Sequence, residues 1–148
     1  MFILLNVALS IVLFPLALIF GRPQKVMLCR RVVDERVNKA FPISSWTPFI
    51  DFVPWGWFQK VMIKRGVGAV TFLCWVYFRP WEQRKVLEFH EAIHVIQQSV
   101  VSPVIVGLAY LTDLIVYLPF RKWFKPEELL RASTVEKVAY RVAGQDKD

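Results

Sequence analysis

The sequence predicts a small α+β domain, and three observations lead to this prediction. The chain has 148 residues, which is enough for one compact domain. Residues 60–65 and 69–79 are rich in Val, Phe, Trp and Tyr and are separated by Gly66 and Gly68, as in a strand hairpin. Residues 82–101 instead place apolar side chains at spacings of three and four, which indicates an amphipathic helix.

The first twenty residues, MFILLNVALSIVLFPLALIF, contain no charged side chain and are long enough to cross the hydrocarbon core of a bilayer as a helix. A cleaved signal peptide would carry a basic residue before the apolar run, but the first one here is Arg22. We therefore predict a retained transmembrane anchor at residues 1–21. Basic residues stay on the cytoplasmic side, so we expect the N-terminus outside and the domain in the cytoplasm. The basic residues that follow the anchor are Arg22, Lys25, Arg30 and Arg31.

The composition favours a lipid bilayer over nucleic acid as a partner. Hydrophobic residues make up 55% of the chain and aromatic residues 15%, and the formal net charge is +7. Nucleic-acid binding would need the basic residues gathered on one polar face, whereas here they form short clusters beside apolar segments.

The two cysteines, Cys29 and Cys74, lie in separate apolar runs and form neither a disulfide framework nor a thiolate zinc site. We interpret them as buried free thiols.

Residues 22–58 are predicted to be a linker followed by an aromatic interfacial segment. Residues 32–45 are polar and indicate a linker or a short helix. Two Pro–aromatic neighbours and a Gly within residues 46–60 argue against a long regular element there. The aromatic side chains here either lie at the headgroup level of a membrane or belong to a proline-containing loop that covers a small core. They are Trp46, Phe49, Phe52, Trp55, Trp57 and Phe58.

Residues 59–148 are predicted to form the folded domain, and their second apolar segment, at 104–120, has two interpretations. It is either a second membrane helix or a segment that stays buried or at the membrane interface. In the second case it forms a helix, or it turns near Thr112 and Asp113 and returns the chain. We favour the second, because the segment is short for a span and Asp113 at its centre disfavours insertion. The chain then closes with two predicted helices, one from Pro126 and one from Ser133-Thr134 to about residue 143.

Both histidines of the chain lie in LEFHEAIHVIQQS, where His90, Glu91 and His94 form the pattern H-E-x-x-H. On a helix, residues four apart share a face, with Cβ atoms about 5–6 Å apart, so both imidazoles can bind one zinc ion. Glu91 is rotated by about 100° from His90 and therefore lies beside the ion. There it can act as general base toward a zinc-bound water, whose pKa is about 7.

A catalytic zinc site commonly has three protein ligands, and the chain has no third histidine. The candidates are therefore the acidic residues downstream, Asp113, Glu127, Glu128 and Glu136. Glu136 fits best, because STVEKVAY predicts a helix that can pack against the motif helix. Tyr140 lies one turn further on, where its phenol is either a packing group or a hydrogen-bond donor to the oxyanion of a tetrahedral intermediate.

The motif followed by Glu136 is similar to the gluzincin arrangement of zinc metallopeptidases. More narrowly, HEAIHVIQQ resembles the H-E-x-x-H-V-x-Q-Q helix of small bacterial and phage zincin-like proteins. It also resembles the same helix in a peptidase-like core domain associated with contractile injection systems. In the small proteins a strand hairpin precedes this helix and a segment like N-P-F-E-x-E-A-Y follows it.

In STVEKVAY, Glu136 matches the first Glu of that segment and Tyr140 its Tyr, while Ser133-Thr134 replaces Asn-Pro and Val138 replaces the second Glu. The resemblance covers about residues 60–143. It implies a zincin-like domain, in which a strand hairpin packs on the motif helix and Zn²⁺ is bound by His90, His94 and Glu136.

The predicted function is that of a membrane-anchored zinc-dependent metallopeptidase, with Glu91 as the base and a peptide or protein as the substrate. Two other interpretations stay open. One is a non-catalytic membrane or envelope protein with a structural or vestigial zinc site. The other is a lipid-surface binding module that uses the aromatic and basic residues alone.

Overall fold

The computed structural model of the chain describes residues 2–79, 84–117 and 134–143. Within them, a four-stranded sheet lies between two helical layers, so the predicted α+β class is confirmed. The helices are α1 (Ile3–Val12), α2 (Phe14–Phe20), α3 (Glu35–Ala40), α4 (Gly56–Lys64), α5 (Arg84–Val101), α6 (Pro103–Tyr117) and α7 (Thr134–Ala143). The strands are β1 (Gly21–Leu28), β2 (Pro48–Pro54), β3 (Ala69–Phe72) and β4 (Trp75–Phe78).

The sheet has the strand order β1-β2-β4-β3. Strand β1 is antiparallel to β2, β2 is parallel to β4, and β4 is antiparallel to β3. Because successive side chains of a strand point to opposite faces, β4 sends Trp75 and Tyr77 to one face and Val76 and Phe78 to the other. The first pair packs with Ala17 of α2, and the second pair packs with α5. Both faces of β4 are therefore covered, as the apolar run in its sequence predicts.

Helix α5 lies on the second face of the sheet and confirms the helix predicted at 82–101, within the described residues. Its apolar residues Ala92, Ile93 and Val95 are buried in the core that it shares with the sheet. Its first residue, Arg84, forms an ion pair with the buried carboxylate of Asp51 on β2. This pair holds the start of the helix against the sheet, so the orientation of the motif helix is fixed at one end by charge and along its length by packing.

Helix α2 and the C-terminal part of α1 cover the first face of the sheet. The N-terminal part of α1 lies against α5, and the inward polar groups of α1 bind the rest of the domain. The side-chain nitrogen of Asn6 donates to Ser99 Oγ of α5 at 3.2 Å. The hydroxyl oxygen of Ser10 accepts a hydrogen bond from the backbone N–H of Cys74 at 3.0 Å. The first helices are thus part of the same packed unit as α5 and the sheet.

No single helix among the described residues combines the length and the apolar character needed to cross a membrane. Helices α1 and α2 pass this test only as a pair that is bent by 66°. Helix α5 and residues Pro103–Asp113 of α6 pass it only as a pair bent by 112°. The anchor predicted at residues 1–21 thus corresponds to a bent pair of helices.

Three parts of the sheet region differ from the sequence prediction. Residues 69–79, predicted as one strand, contain two antiparallel strands, β3 and β4, with a turn at Leu73 and Cys74. Residues 60–65 lie in helix α4 and at its C-terminal end, so the first predicted strand is wrong. Gly66 follows the end of this helix, and its φ of 68° is the left-handed conformation common after a helix C-terminus. Residues 48–54, placed by sequence in the linker and interfacial segment, form β2. Its prolines stand at the two ends of the strand, where they interrupt no interior hydrogen bond.

The segment after α5 forms a helix, as one of the sequence interpretations predicts. Helix α6 is continuous through Thr112 and Asp113, so the turn considered there is wrong. The chain instead turns at Ser102, whose φ is 125°, and Pro103 begins the next helix. Helix α7 confirms the last predicted helix, whereas the helix predicted from Pro126 lies outside the described residues.

Candidate metal centre

Helix α5 presents both histidines from consecutive turns of one face. His90 and His94 are buried, and their Nε2 atoms are 3.1 Å apart. Their ring planes are inclined by 82°, so the rings do not stack and the two nitrogens converge on one point. A pair of nitrogen donors at this spacing is half of a tetrahedral metal site.

Glu136, in the first turn of α7, reaches the same point from the opposite side. Its Oε2 lies 3.2 Å from His90 Nε2, and its Oε1 lies 3.3 Å from His94 Nε2. The three side chains form a group whose donor atoms all lie within 4.8 Å of one another and can hold a metal ion. Among the candidate third ligands, Asp113 is described but is not part of this group. Glu127 and Glu128 lie outside the described residues.

The electrostatics of the group favour a cation. Burial by itself raises the pKa of Glu136, but hydrogen bonds with His90 and His94 outweigh it and hold the pKa well below its ordinary value. Burial by itself lowers the pKa of His94, but the hydrogen bond with Glu136 and the charges of Glu91 and Glu136 outweigh it and raise the pKa. The carboxylate is thus ionised at neutral pH and stabilises positive charge at its partners.

Two neutral side chains hold the ligands in place. The hydroxyl of Tyr110, on α6, donates to Glu136 Oε1 at 2.9 Å. On α5, His94 Nδ1 lies 2.9 Å from Gln97 Oε1. Because a glutamine oxygen only accepts hydrogen bonds, Nδ1 carries a proton, which leaves Nε2 as the ring nitrogen that can bind a metal ion. Contacts of this kind fix the orientation of metal ligands.

Glu91 is buried beside the donor group rather than in it. Its Oε2 accepts a hydrogen bond from the Thr71 hydroxyl at 2.6 Å. Thr71 lies on β3 opposite Val76, and so it shares the sheet face that α5 covers. The hairpin therefore contacts the motif helix at the residue that the sequence assigns as the base.

The structure brings together His90, His94 and Glu136, as the sequence predicts. The side chain of Tyr140 lies outside the described part of α7, so its role stays a prediction. Sequence reasoning missed Tyr110 and Thr71. Each is a polar residue within an apolar run; the runs are VGLAYL for Tyr110 and AVTFL for Thr71. A polar side chain in a covered element needs a hydrogen-bond partner. That need is the signal by which both residues could have been found.

Comparisons with protein-family models, with curated proteins and with solved structures find no match to this chain. The resemblance to zincin-like proteins therefore stays a prediction from the motif and its surroundings. What the structure adds is a group of three side chains that can hold a metal ion.

Proposed function

We propose that the protein is a zinc-dependent hydrolase that cleaves peptide bonds. The observation that carries the proposal is the spacing of the three donor groups. In a tetrahedral zinc site with bonds of 2.0–2.1 Å, neighbouring donor atoms lie about 3.3 Å apart. Here the two Nε2 atoms are 3.1 Å apart, and the two oxygens of Glu136 lie 3.2 Å from His90 Nε2 and 3.3 Å from His94 Nε2. One ligand atom from each residue lies within 4.8 Å of the others, so the three side chains are close to the spacing of the ligands of one tetrahedral ion.

The donor set supports zinc and a catalytic role. Two imidazoles and one carboxylate are ligands that zinc accepts, and three protein ligands leave the fourth position open, whereas structural zinc sites commonly use four protein ligands with several thiolates. Cys29 and Cys74 are both buried and neither belongs to the donor group. The side chain of Glu136 keeps 19% of its surface exposed, so the group can be reached from solvent.

The residues around the group have separate roles in the proposed reaction. A zinc ion held there supplies Lewis-acid activation of a water molecule at neutral pH. Glu91 takes the proton from the attacking water and transfers it to the leaving amine. Thr71 holds the carboxylate of Glu91 in one orientation, and Tyr110 does the same for Glu136. Peptide-bond cleavage, rather than another hydrolysis, is proposed from the order of ligands and base in H-E-x-x-H.

The experiment that tests the metal is elemental analysis of the purified full chain beside two variants. We expect one zinc per chain in the wild type, loss of zinc in His90→Ala, and full zinc content in Glu91→Gln. A wild type that binds no zinc after zinc loading contradicts the proposal.

The experiment that tests the reaction uses a mixture of synthetic peptides with all residue types at each position, read by mass spectrometry. We expect cleavage by the wild type and none by Glu91→Gln. Zinc binding together with equal cleavage by both proteins removes Glu91 from its role. Zinc binding without cleavage by the wild type favours the non-catalytic membrane or envelope protein instead.

A further inference from the structure

A continuous apolar and aromatic surface lies on the outside of α2 and α4. It consists of exposed side chains that we call the docking surface: Leu16, Ile19, Phe20, Trp55, Trp57 and Val61. The two helices meet where the rings of Phe20 and Trp57 are 5.7 Å apart. Trp55 Nε1 also donates to the backbone carbonyl of Leu18 at 2.6 Å. Trp57 keeps 51% and Ile19 54% of its surface exposed, so this side of the domain presents large apolar groups to its surroundings.

Basic side chains lie on and next to the helices that form this surface. Lys60 and Lys64 are in α4, Arg65 follows α4, and Arg22 lies two residues after α2; all four are exposed. Helix α2, helix α4 and the residues between 52 and 66 contain no Asp or Glu. This side of the domain is therefore positively charged, and the complementary partner is negatively charged.

The chemistry of this surface fits a lipid bilayer. Tryptophan is favoured at the level of the headgroups, where its ring is apolar and its N–H is wet. Lysine and arginine beside apolar groups are attracted to anionic headgroups. A nucleic acid offers the negative charge but no apolar layer for Leu16, Ile19 and Val61 to enter.

The contacts of α1 and α2 favour a position in the plane of the membrane. The polar side chains of α1 are turned inward to the domain, and the carbonyl of Ala17 in α2 accepts a hydrogen bond from Tyr77 at 2.9 Å. The outward side chains are apolar, including Ile11 and Val12, which keep 68% and 72% of their surface exposed. A crossing of the bilayer by these helices would break the inward hydrogen bonds.

We propose that the docking surface binds an anionic bilayer while α1 and α2 stay packed on the domain and lie along the membrane surface. This membrane docking does not depend on the proposed hydrolase activity, because none of its residues belongs to the metal-binding group. The full chain should bind vesicles equally with and without zinc.

The test measures partition of the full chain onto vesicles of phosphatidylcholine alone and with 30 mol% phosphatidylglycerol. We expect tight binding only to the anionic vesicles. Lys60→Gln with Lys64→Gln should weaken it by about 25-fold, from about 1 kcal/mol for each basic residue near an anionic surface. The matched control, Lys39→Gln with Lys137→Gln, removes the same charge from exposed positions on α3 and α7 and should bind as the wild type does.

A second pair of variants tests the aromatic contribution. Trp57→Ala should weaken binding to the anionic vesicles by about tenfold, as expected for loss of a large buried apolar side chain. Trp46→Ala removes an equally exposed tryptophan outside the docking surface and should have no effect. An unchanged thermal unfolding midpoint shows that each variant is folded. Equal binding to both kinds of vesicle, or equal losses in the variants and their controls, overturns the proposal.

A peptide tag joined before residue 1 separates docking from crossing. When the tagged chain is added to preformed anionic vesicles, an external protease should remove the tag, because both ends of α1 and α2 stay on the outer surface. Protection of the tag from the protease shows that the helices cross the bilayer and overturns the in-plane arrangement.

Discussion

Replacing Tyr110 by Phe removes one hydroxyl from the surroundings of the candidate metal-binding group and keeps the aromatic ring. That hydroxyl donates to Glu136 Oε1 at 2.9 Å. Burial, together with the charge of Glu136, raises the pKa of Tyr110 well above its ordinary value, so the phenol stays protonated and keeps donating throughout the neutral range. We therefore expect Tyr110→Phe to weaken zinc binding without removing a ligand.

The size of the effect follows from the charge on the acceptor. A hydrogen bond to a charged group contributes about 1.5–3 kcal/mol, and each 1.4 kcal/mol is about tenfold in affinity. Zinc should accordingly bind about 10- to 100-fold more weakly. The same range applies to the loss of partners that orient metal ligands in other sites, so Tyr110 is a positioning residue of the proposed zinc site.

A competition titration against a coloured zinc chelator measures this change. Tyr77→Phe is the matched control, because it removes a buried phenol that donates to a backbone carbonyl of α2 instead of to a ligand. The control should leave the zinc affinity unchanged and lower the stability of the fold. Equal zinc affinity in wild type and Tyr110→Phe would refute the reasoning, since Glu136 would then bind zinc without its partner.

Three further predictions concern the base, a ligand and a thiol. Thr71→Val should lower peptide cleavage by about tenfold, from the loss of about one hydrogen bond to Glu91, whereas Thr71→Ser should retain activity and both variants should retain zinc. Burial by itself lowers the pKa of His94, but the hydrogen bond with Glu136 and the nearby carboxylate charges outweigh it and raise this pKa above its ordinary value of 6.5. Protons should therefore begin to compete with zinc for His94 above pH 6.5. Titrations at several pH values should show the zinc affinity falling as the pH decreases. Burial raises the pKa of the Cys74 thiol to about 11, so this thiol stays protonated at pH 8 and reacts slowly. A thiol reagent at pH 8 should therefore label Cys74 only after denaturation. Rapid labelling of Cys74 in the native protein would contradict this prediction.

The motif helix was predictable because its signal is local. The apolar spacing along 82–101 specifies a helix, and a helix necessarily places His90 and His94 on one face. Glu136 lies 46 positions from His90. The helical pattern of STVEKVAY and its likeness to a known segment made Glu136 the best candidate, but neither showed that the chain returns it to the same point. The choice of Glu136 over Asp113 depends on how α6 and α7 pack against α5, which no local pattern records.

The first half of the sheet was not predictable for a physical reason. Residues 60–65, KVMIKR, combine β-branched residues with charges and fit a strand pattern, yet Met62 packs inward from α4 and Gly66 ends that helix. Propensity is weak where tertiary packing decides the conformation. Similarly, the prolines of β2 argued against a strand, although they stand at its ends.

Helix α5 is buried on several sides and carries more polar groups than an ordinary core helix. Burying a polar side chain without a partner costs several kcal/mol, so each such residue requires a reason. Ser99 has a structural one, because it forms hydrogen bonds with both Asn6 of α1 and Thr47, the residue before β2.

His90, Glu91 and His94 require a different explanation. Apolar residues of similar size would fill their space at lower cost, and Thr71, Tyr110 and Glu136 each add another polar group to the same region. A fold that needed only stability would not bring two imidazoles and the carboxylate of Glu136 together within 4.8 Å, with the carboxylate of Glu91 buried beside them. The proposed cation would account for this group, because it would neutralise the carboxylate of Glu136 and occupy the position on which the imidazole nitrogens converge.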